Sequence, residues 1–235
     1  VIKNALTNLE MIKLVASKLD YLCDKVVFLG GATTSLLVTN PALPGIRSTL
    51  DVDVIIEISS RVEYYKLEDS LRKLGFKQNI GENIPICRWT IDNILVDIMP
   101  TDSEIIGFSN KWYPLAIKRS ERIKLDDEIE INIVTAPYFL ATKIEAFHGR
   151  GHNDYFRSHD LEDIITLLDG REELLSEIES ELKELRSFLS KELGTFLQDN
   201  SFLESISGHL LPDLASQARA TFIKERILKI VQLEI

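Results

Sequence analysis

The chain has 235 residues, 45% of them apolar, with 27 Lys and Arg against 37 Asp and Glu and a formal net charge of −10. That length suits one large domain or two small ones, and the apolar content is ample for a core. The acidity excludes a protein that coats DNA or RNA non-specifically, which needs a basic surface, while leaving room for a local basic groove. Two cysteines, Cys23 and Cys87, lack any metal-ligand spacing. They point to a reducing compartment, taken here as the cytoplasm, and to no structural disulfide. No signal peptide is expected, because Lys3, Asn4, Asn8 and Glu10 interrupt the first apolar residues, and the apolar runs are too short to span a membrane.

In chain order, Leu6, Leu9, Ile12, Leu14, Val15, Leu19 and Leu22 predict an amphipathic helix over 3–22. A core strand follows over 25–29, ended by Gly30-Gly31, and a helical segment over 32–38 starts at the glycines. Two prolines and a glycine make 40–46 a loop. The β-branched run 52–58 predicts a central strand. An amphipathic helix over 60–74 is stopped by Gly75, with a short strand at 76–78. Residues 86–91 and 94–99, joined by Asp92-Asn93, read as a β-hairpin. Residues 100–128 are mixed, and 128–134 is a half-exposed strand. Pro137 suits the first turn of a helix running to about His148. A loop at 149–157 leads to Ser158, the cap of a helix over 159–168. Beyond Glu172 all signals are helical: an acidic helix over 172–190, short helices after it, a turn at 208–212 and a last helix over 213–232. The expected fold is α+β: a mixed sheet flanked by helices over 1–134, then a helical part over 135–235, with a nucleotide cleft between the two.

The chemistry gathers in 26–57. Asp51 and Asp53 stand two apart in a strand and so face the same way. Side by side at the rim of a core they repel and lose hydration, a situation that a metal ion relieves. Asp97 repeats the apolar-acid-apolar pattern, and a neighbouring antiparallel arm would bring it opposite the pair. Three carboxylates on one sheet face make a hard-oxygen site suited to Mg²⁺ or Mn²⁺. Gly30-Gly31 lets backbone N–H groups approach a phosphate, and Thr33 and Ser35 fall in the first turn of the following helix, whose N-terminus favours an anion. One acid alone is more often a solvated strand end, and one glycine pair a tight turn. It is the combination that points to a metal and phosphate site.

This combination resembles the nucleotidyltransferase superfamily of the DNA polymerase β type, in which a glycine turn precedes a D-x-D strand and a third carboxylate lies on a later strand. Gly30, Gly31, Asp51, Asp53 and Asp97 match it residue by residue. Arg47 and Thr49, in RSTLDVD, resemble the AbiEii-like branch, which includes toxins of toxin–antitoxin pairs. The resemblance covers Val26 to about Leu168. It implies transfer of a nucleoside monophosphate from an NTP to an acceptor hydroxyl, with release of pyrophosphate. The acceptor stays open: a tRNA 3′ end, a protein or a small molecule. In that scheme Asp51 and Asp53 bind both metals, Asp97 binds the catalytic one and helps deprotonate the acceptor, and Gly30, Gly31 and Ser35 hold phosphates. A cognate antitoxin is an implied partner.

A second cluster lies in ATKIEAFHGRGHNDYFRSHDLEDI. Lys143 sits among Ala141, Ile144, Ala146 and Phe147, where a lysine either snorkels or pairs. The resemblance implies that Lys143 holds the β- or γ-phosphate and that Asp160 and Asp163, on the next helix, orient Lys143 or the nucleotide. His159 stands where many relatives carry a base. His148, His152 and His159 crowd the loop, but no zinc spacing supports a metal there, and His209 reads as a turn residue. The run Lys118, Arg119, Arg122, Lys124 reads as a solvated surface or an acceptor contact. Arg219, Lys224, Arg226 and Lys229 are expected to border the cleft or to meet the Glu-rich helix over 172–184. No G-x-S-x-G and no Walker A pattern occurs. The alternative to an enzyme is a non-catalytic interaction protein, antitoxin-like, that keeps the fold. It calls for a degenerate acid cluster, and the three acids here are intact.

Overall fold

A computed structural model describes residues 6–40, 43, 46–82, 84–150 and 154–233. Most of the loop expected at 40–46, and His152, lie outside the described residues. The chain divides into two compact units, one of Val1–Ser35 with Arg47–Thr135, the other of Leu36–Ile46 with Ala136–Ile235.

In the first unit, α1 (Asn8–Leu19) opens on a capping box. Thr7 Oγ1 accepts from Glu10 N at 3.2 Å, and Glu10 Oε2 accepts from Thr7 N at 2.7 Å. Met11, Ile12, Val15, Ala16 and Leu19 form its buried stripe. The helix stops short of the expected Leu22, and a 3₁₀ segment, Asp20–Lys25, takes its place before strand β1 (Val26–Leu29), buried throughout. A second 3₁₀ turn, Gly31–Thr33, leads into α2 (Thr34–Leu37). Then come β2 (Asp51–Ile56), α3 (Arg61–Lys73), β3 (Lys77–Gln78), β4 (Arg88–Ile91) and β5 (Ile94–Pro100). Short helices α4 (Ser103–Ile106) and α5 (Tyr113–Lys118) precede β6 (Glu121–Lys124) and β7 (Glu130–Ile133).

The seven strands form one mixed sheet in the order β3-β4-β5-β2-β1-β7-β6. The β4–β5 hairpin forms as expected, with Asp92 and Asn93 both at positive φ (47° and 67°), the twist that a two-residue turn requires. The expected orientation of Asp97 is corrected: β5 runs parallel to β2. A parallel partner needs a crossover, and α3 with the β3–β4 excursion supplies it. Strand β6 also went unread. Its alternation is Glu121, Arg122, Ile123, Lys124, a charged edge with almost no apolar period.

In the second unit, α6 (Ala136–Arg150) and α7 (His159–Gly170) are followed by α8 (Leu174–Ser180), α9 (Lys183–Gln198), α10 (Asn200–Gly208) and α11 (Leu214–Gln232). The single helix expected over 172–190 is instead broken between α8 and α9, where Glu181 and Leu182 are extended. Neither proline nor glycine marks that break. The end of α7 is heavily tied down. Arg226 Nη1 donates to the carbonyls of Leu168 and Arg171, each at 2.8 Å, and Thr39 N and Asn40 N donate to Gly170 O, each at 2.9 Å. These bonds satisfy the carbonyls that a helix end leaves bare. A Cβ at Gly170 would lie 2.8 Å from Val38 Cγ1 and 3.0 Å from Leu43 Cδ2, so a side chain there would force both to shift. Among the described residues no helix is long and apolar enough to cross a membrane.

Thr7→Ala removes the half of the α1 capping box in which Thr7 Oγ1 accepts from Glu10 N, leaving the backbone N–H bond to Glu10, and is expected to cost about 1 kcal/mol, read as a lower urea midpoint at unchanged slope.

Candidate functional site

The sheet register lays the acids out in a row. Asp53 pairs with Asp97 across the parallel β2–β5 contact, and Leu29, the last residue of β1, pairs with Asp53 on its other side. Residues in register share a face, and Asp51 joins that face two positions along. Val52 and Val54, on the opposite face, are fully buried. Gly30, directly after β1, has φ +77°, and a Cβ there would overlap Asp53 Oδ2. The glycine is thus required twice, for a backbone angle that L-residues avoid and for the space that the Asp53 carboxylate takes.

The same row contains a residue that the sequence reading passed over. Arg88 on β4 pairs in register with Asp97. Its Nε donates to Asp97 Oδ1 at 2.8 Å and its Nη2 to Asp97 Oδ2 at 2.6 Å, a two-pronged contact, and Nη2 also reaches Asp51 Oδ2 at 3.2 Å. The Asp97 hydrogen bonds raise the guanidinium pKa above its ordinary value against the cost of burial, and the charges of Asp97, Asp51 and Asp53 add to the effect. Charge-assisted forks of this kind are among the stronger polar contacts in proteins. The available signal was alternation: Cys87, Trp89 and Ile91 are buried, which turns Arg88 and Thr90 to the other side, the side of Asp97.

With Arg88 in place the carboxylates do not form the donor set of a metal ion. Among the described residues no three His, Cys, Asp or Glu side chains are gathered as a metal site, and two of the three expected ligands hold Arg88. Cys87 adds no thiolate, since burial, followed by the Asp97 charge, pushes its pKa up to about 12.

The turn residues have local duties. Thr33 is fully buried, and its hydroxyl donates to Gly30 O at 2.8 Å. The Ser35 hydroxyl approaches Ala32 O at 3.5 Å. Gly31 begins the 3₁₀ turn. Arg47 and Thr49 are fixed by one side chain: Asn8 Nδ2 donates to Arg47 O and Asn8 Oδ1 accepts from Thr49 N, each at 3.0 Å. Thr49 Oγ1 in turn donates to Asp51 O at 3.0 Å. Asn8 therefore anchors the approach to β2 on the first turn of α1.

In the second unit, Lys143, Asp160 and Asp163 come together. Lys143 Nζ lies 3.1 Å from Asp160 Oδ1 and 2.6 Å from Asp163 Oδ2, with all three residues buried. Arg150 grips Asp160 through Nε at 2.9 Å and Nη2 at 3.0 Å. Two cations thus face two carboxylates. Burial pushes the Asp160 carboxyl up, but the Arg150 hydrogen bonds and the Lys143 charge outweigh it and hold the pKa at about 2. With both carboxylates in place the Lys143 ammonium is already paired, so the phosphate contact implied by the resemblance would need one of them released.

Several other basic and histidine residues have carboxylate or backbone partners. Arg122 meets Asp24 and Glu130, Lys124 meets Asp127, and Arg219 meets Asp169. His148 contacts Glu192, His159 contacts Glu162, and His209 Nε2 lies 2.7 Å from Tyr155 O.

No family model and no curated protein matches this chain. Among solved structures it is similar to an antigenic nucleotidyltransferase-like protein from Paracoccidioides brasiliensis, at 20% identity and a TM-score of 0.51, over 84% of this chain and 92% of that one. The chain has a nucleotidyltransferase-like fold. At that identity the likeness speaks to fold, and the finer AbiEii-like branch is not carried by it.

Two outcomes follow. Gly30→Ala is expected to destabilise the protein by roughly 2 kcal/mol or more, through positive φ and the overlap with Asp53. Adding Asp53→Ala should recover part of that loss in urea melts, because the two changes share one contact. Asp160, with its pKa lowered from 3.8 to about 2, contributes stability that is complete above about pH 4 and lost as pH falls toward 2. By linkage this is about 2 kcal/mol, and Asp160→Asn should flatten that part of the stability–pH curve.

Proposed function

We propose that the protein transfers a nucleoside monophosphate from an NTP to an acceptor hydroxyl. The observation that carries this reading is the register of Asp53 with Asp97 beside Gly30, within a nucleotidyltransferase-like fold. In the proposed reaction the acceptor oxygen bonds to the α-phosphorus, the bond to the bridging oxygen breaks, and pyrophosphate leaves. A carboxylate of the Asp51, Asp53 and Asp97 group takes the hydroxyl proton. The carboxylates are the hard-oxygen donors that Mg²⁺ or Mn²⁺ prefers, and such an ion is the proposed cofactor. Arg88 occupies two of them in this arrangement.

Arg47 and Thr49 support the AbiEii-like branch, and with it a cognate protein partner, through their place at the entry to β2. The net charge of −10 favours a protein or a cationic small molecule over RNA as acceptor. Burial pushes the Cys23 thiol up to about 11 and the Cys87 thiol to about 12. Both therefore stay protonated near neutral pH; the proposed cytoplasmic setting rests on the low cysteine content. A second reading, a non-catalytic partner protein that keeps the fold, is favoured by one observation: Arg88 already neutralises part of the acid cluster.

Labelled NTPs with Mg²⁺, offered with bulk tRNA, candidate partner proteins and aminoglycosides, separate the two. The expected result is a labelled acceptor from wild type and a loss of at least about 100-fold with Asp53→Ala. No labelled product with any acceptor, together with no NTP binding by calorimetry, would favour the partner-protein reading.

A further inference from the structure

We propose that Arg88 is the built-in cation of the carboxylate face, and that a divalent ion binds there only by displacing it. The inference draws on the proposed function only in treating Asp51, Asp53 and Asp97 as a cation site. It starts from the mismatch described above: an acidic row with no metal geometry and an arginine lying across it.

Three carboxylates on neighbouring strands repel one another, and the repulsion is sharper where water is partly excluded. Asp97 is buried, and its side chain is 11% exposed against 35% for Asp51. Both oxygens of Asp97 are taken by the guanidinium, and one oxygen of Asp51 is shared with it. An incoming Mg²⁺ or Mn²⁺ needs those same oxygens, at about 2.1 Å for Mg²⁺. Guanidinium and metal therefore compete for one set of lone pairs. The register makes the competition unavoidable: Arg88 faces Asp97 across the antiparallel β4–β5 pair, while Asp53 faces it from the parallel β2 side. Arg88 is fixed in place on a strand whose neighbouring residues, Cys87 and Trp89, are buried. Its side chain is 25% exposed, open enough to swing toward solvent once an ion takes over its carboxylates.

This assigns Arg88 two consequences. Without a divalent ion it relieves the repulsion of the acid row and keeps the face ordered. In the presence of one it sets a threshold, so that ions bind more weakly than three bare carboxylates would bind them. An ion arriving with a polyphosphate has an advantage over the ion alone, because the polyphosphate brings negative charge for the released guanidinium.

Mn²⁺ binding, followed by electron paramagnetic resonance of the free ion, tests this without any reaction. Wild type should bind Mn²⁺ weakly. Arg88→Gln should bind it at least about tenfold more tightly, equivalent to about 1.4 kcal/mol. Arg88→Lys, which keeps the charge but loses the fork, should fall between them. Arg88→Gln with Asp97→Asn should lose the gain. Equal affinity of wild type and Arg88→Gln overturns the proposal. Should the Arg88 variants fail to fold, the wild type alone still decides. The Arg88 Nε–H resonance, held by Asp97, should shift or broaden as Mg²⁺ saturates the site, and an unmoved resonance at saturation overturns the proposal. The outcome is independent of nucleotide transfer. Tight Mn²⁺ binding by Arg88→Gln without any labelled product retires the transferase reading and leaves this one standing. Labelled product without the affinity gain does the reverse.

Discussion

The parallel pairing of β2 with β5 governs the whole carboxylate face. One register brings Asp53 alongside Asp97, and a slip of β2 by one residue would send Asp51 and Asp53 to the buried side, where Val52 and Val54 now pack. The neighbouring strands adapt to that choice. β1 ends at a glycine because Asp53 fills the place of its missing side chain, and β4 presents an arginine because Asp97 stands opposite. Even α1 serves the register, since Asn8 fixes the two residues through which the chain enters β2.

Much of this was legible in the amino-acid sequence, and for identifiable reasons. The elements that bury a strong apolar period were read within a few residues: β1, β2, the β4–β5 hairpin, α6 and α7. The glycine turn and the three acids stood out because each breaks an otherwise apolar run. The direction of β5 was not legible, because strand pairing is a long-range property that neither strand encodes alone. Arg88 was not legible as a site residue for a related reason. A polar residue in an alternating strand reads as solvent-facing until the strand opposite it is known. The break between α8 and α9 left no mark in the residues at all.

The second cluster shows the same physics in a drier setting. Lys143, Arg150, Asp160 and Asp163 balance to zero charge, and all but Arg150 are buried. Removing one member from such a group costs more than the pair is worth, because the remaining charge keeps its desolvation penalty. Helices α6 and α7 are therefore held to each other by electrostatics as well as by apolar contact. The carboxylate face of the sheet is built differently. There one arginine bridges two acids of the row, Asp97 and Asp51.

The assignment of Leu36–Ile46 to the helical unit bears on how this protein can be divided. The polypeptide passes from the sheet unit into the helical unit, returns, and leaves again, so the units are spliced rather than strung in sequence. No single cut yields both. A fragment ending near Thr135 would carry Val38 and Leu43 without the Gly170 surface they pack against, and Thr39 and Asn40 without the carbonyl that accepts from them. The helical remainder would lose its cover at the end of α7. Recombination that exchanges one unit for another would need two junctions in the early part of the chain as well as one in the middle.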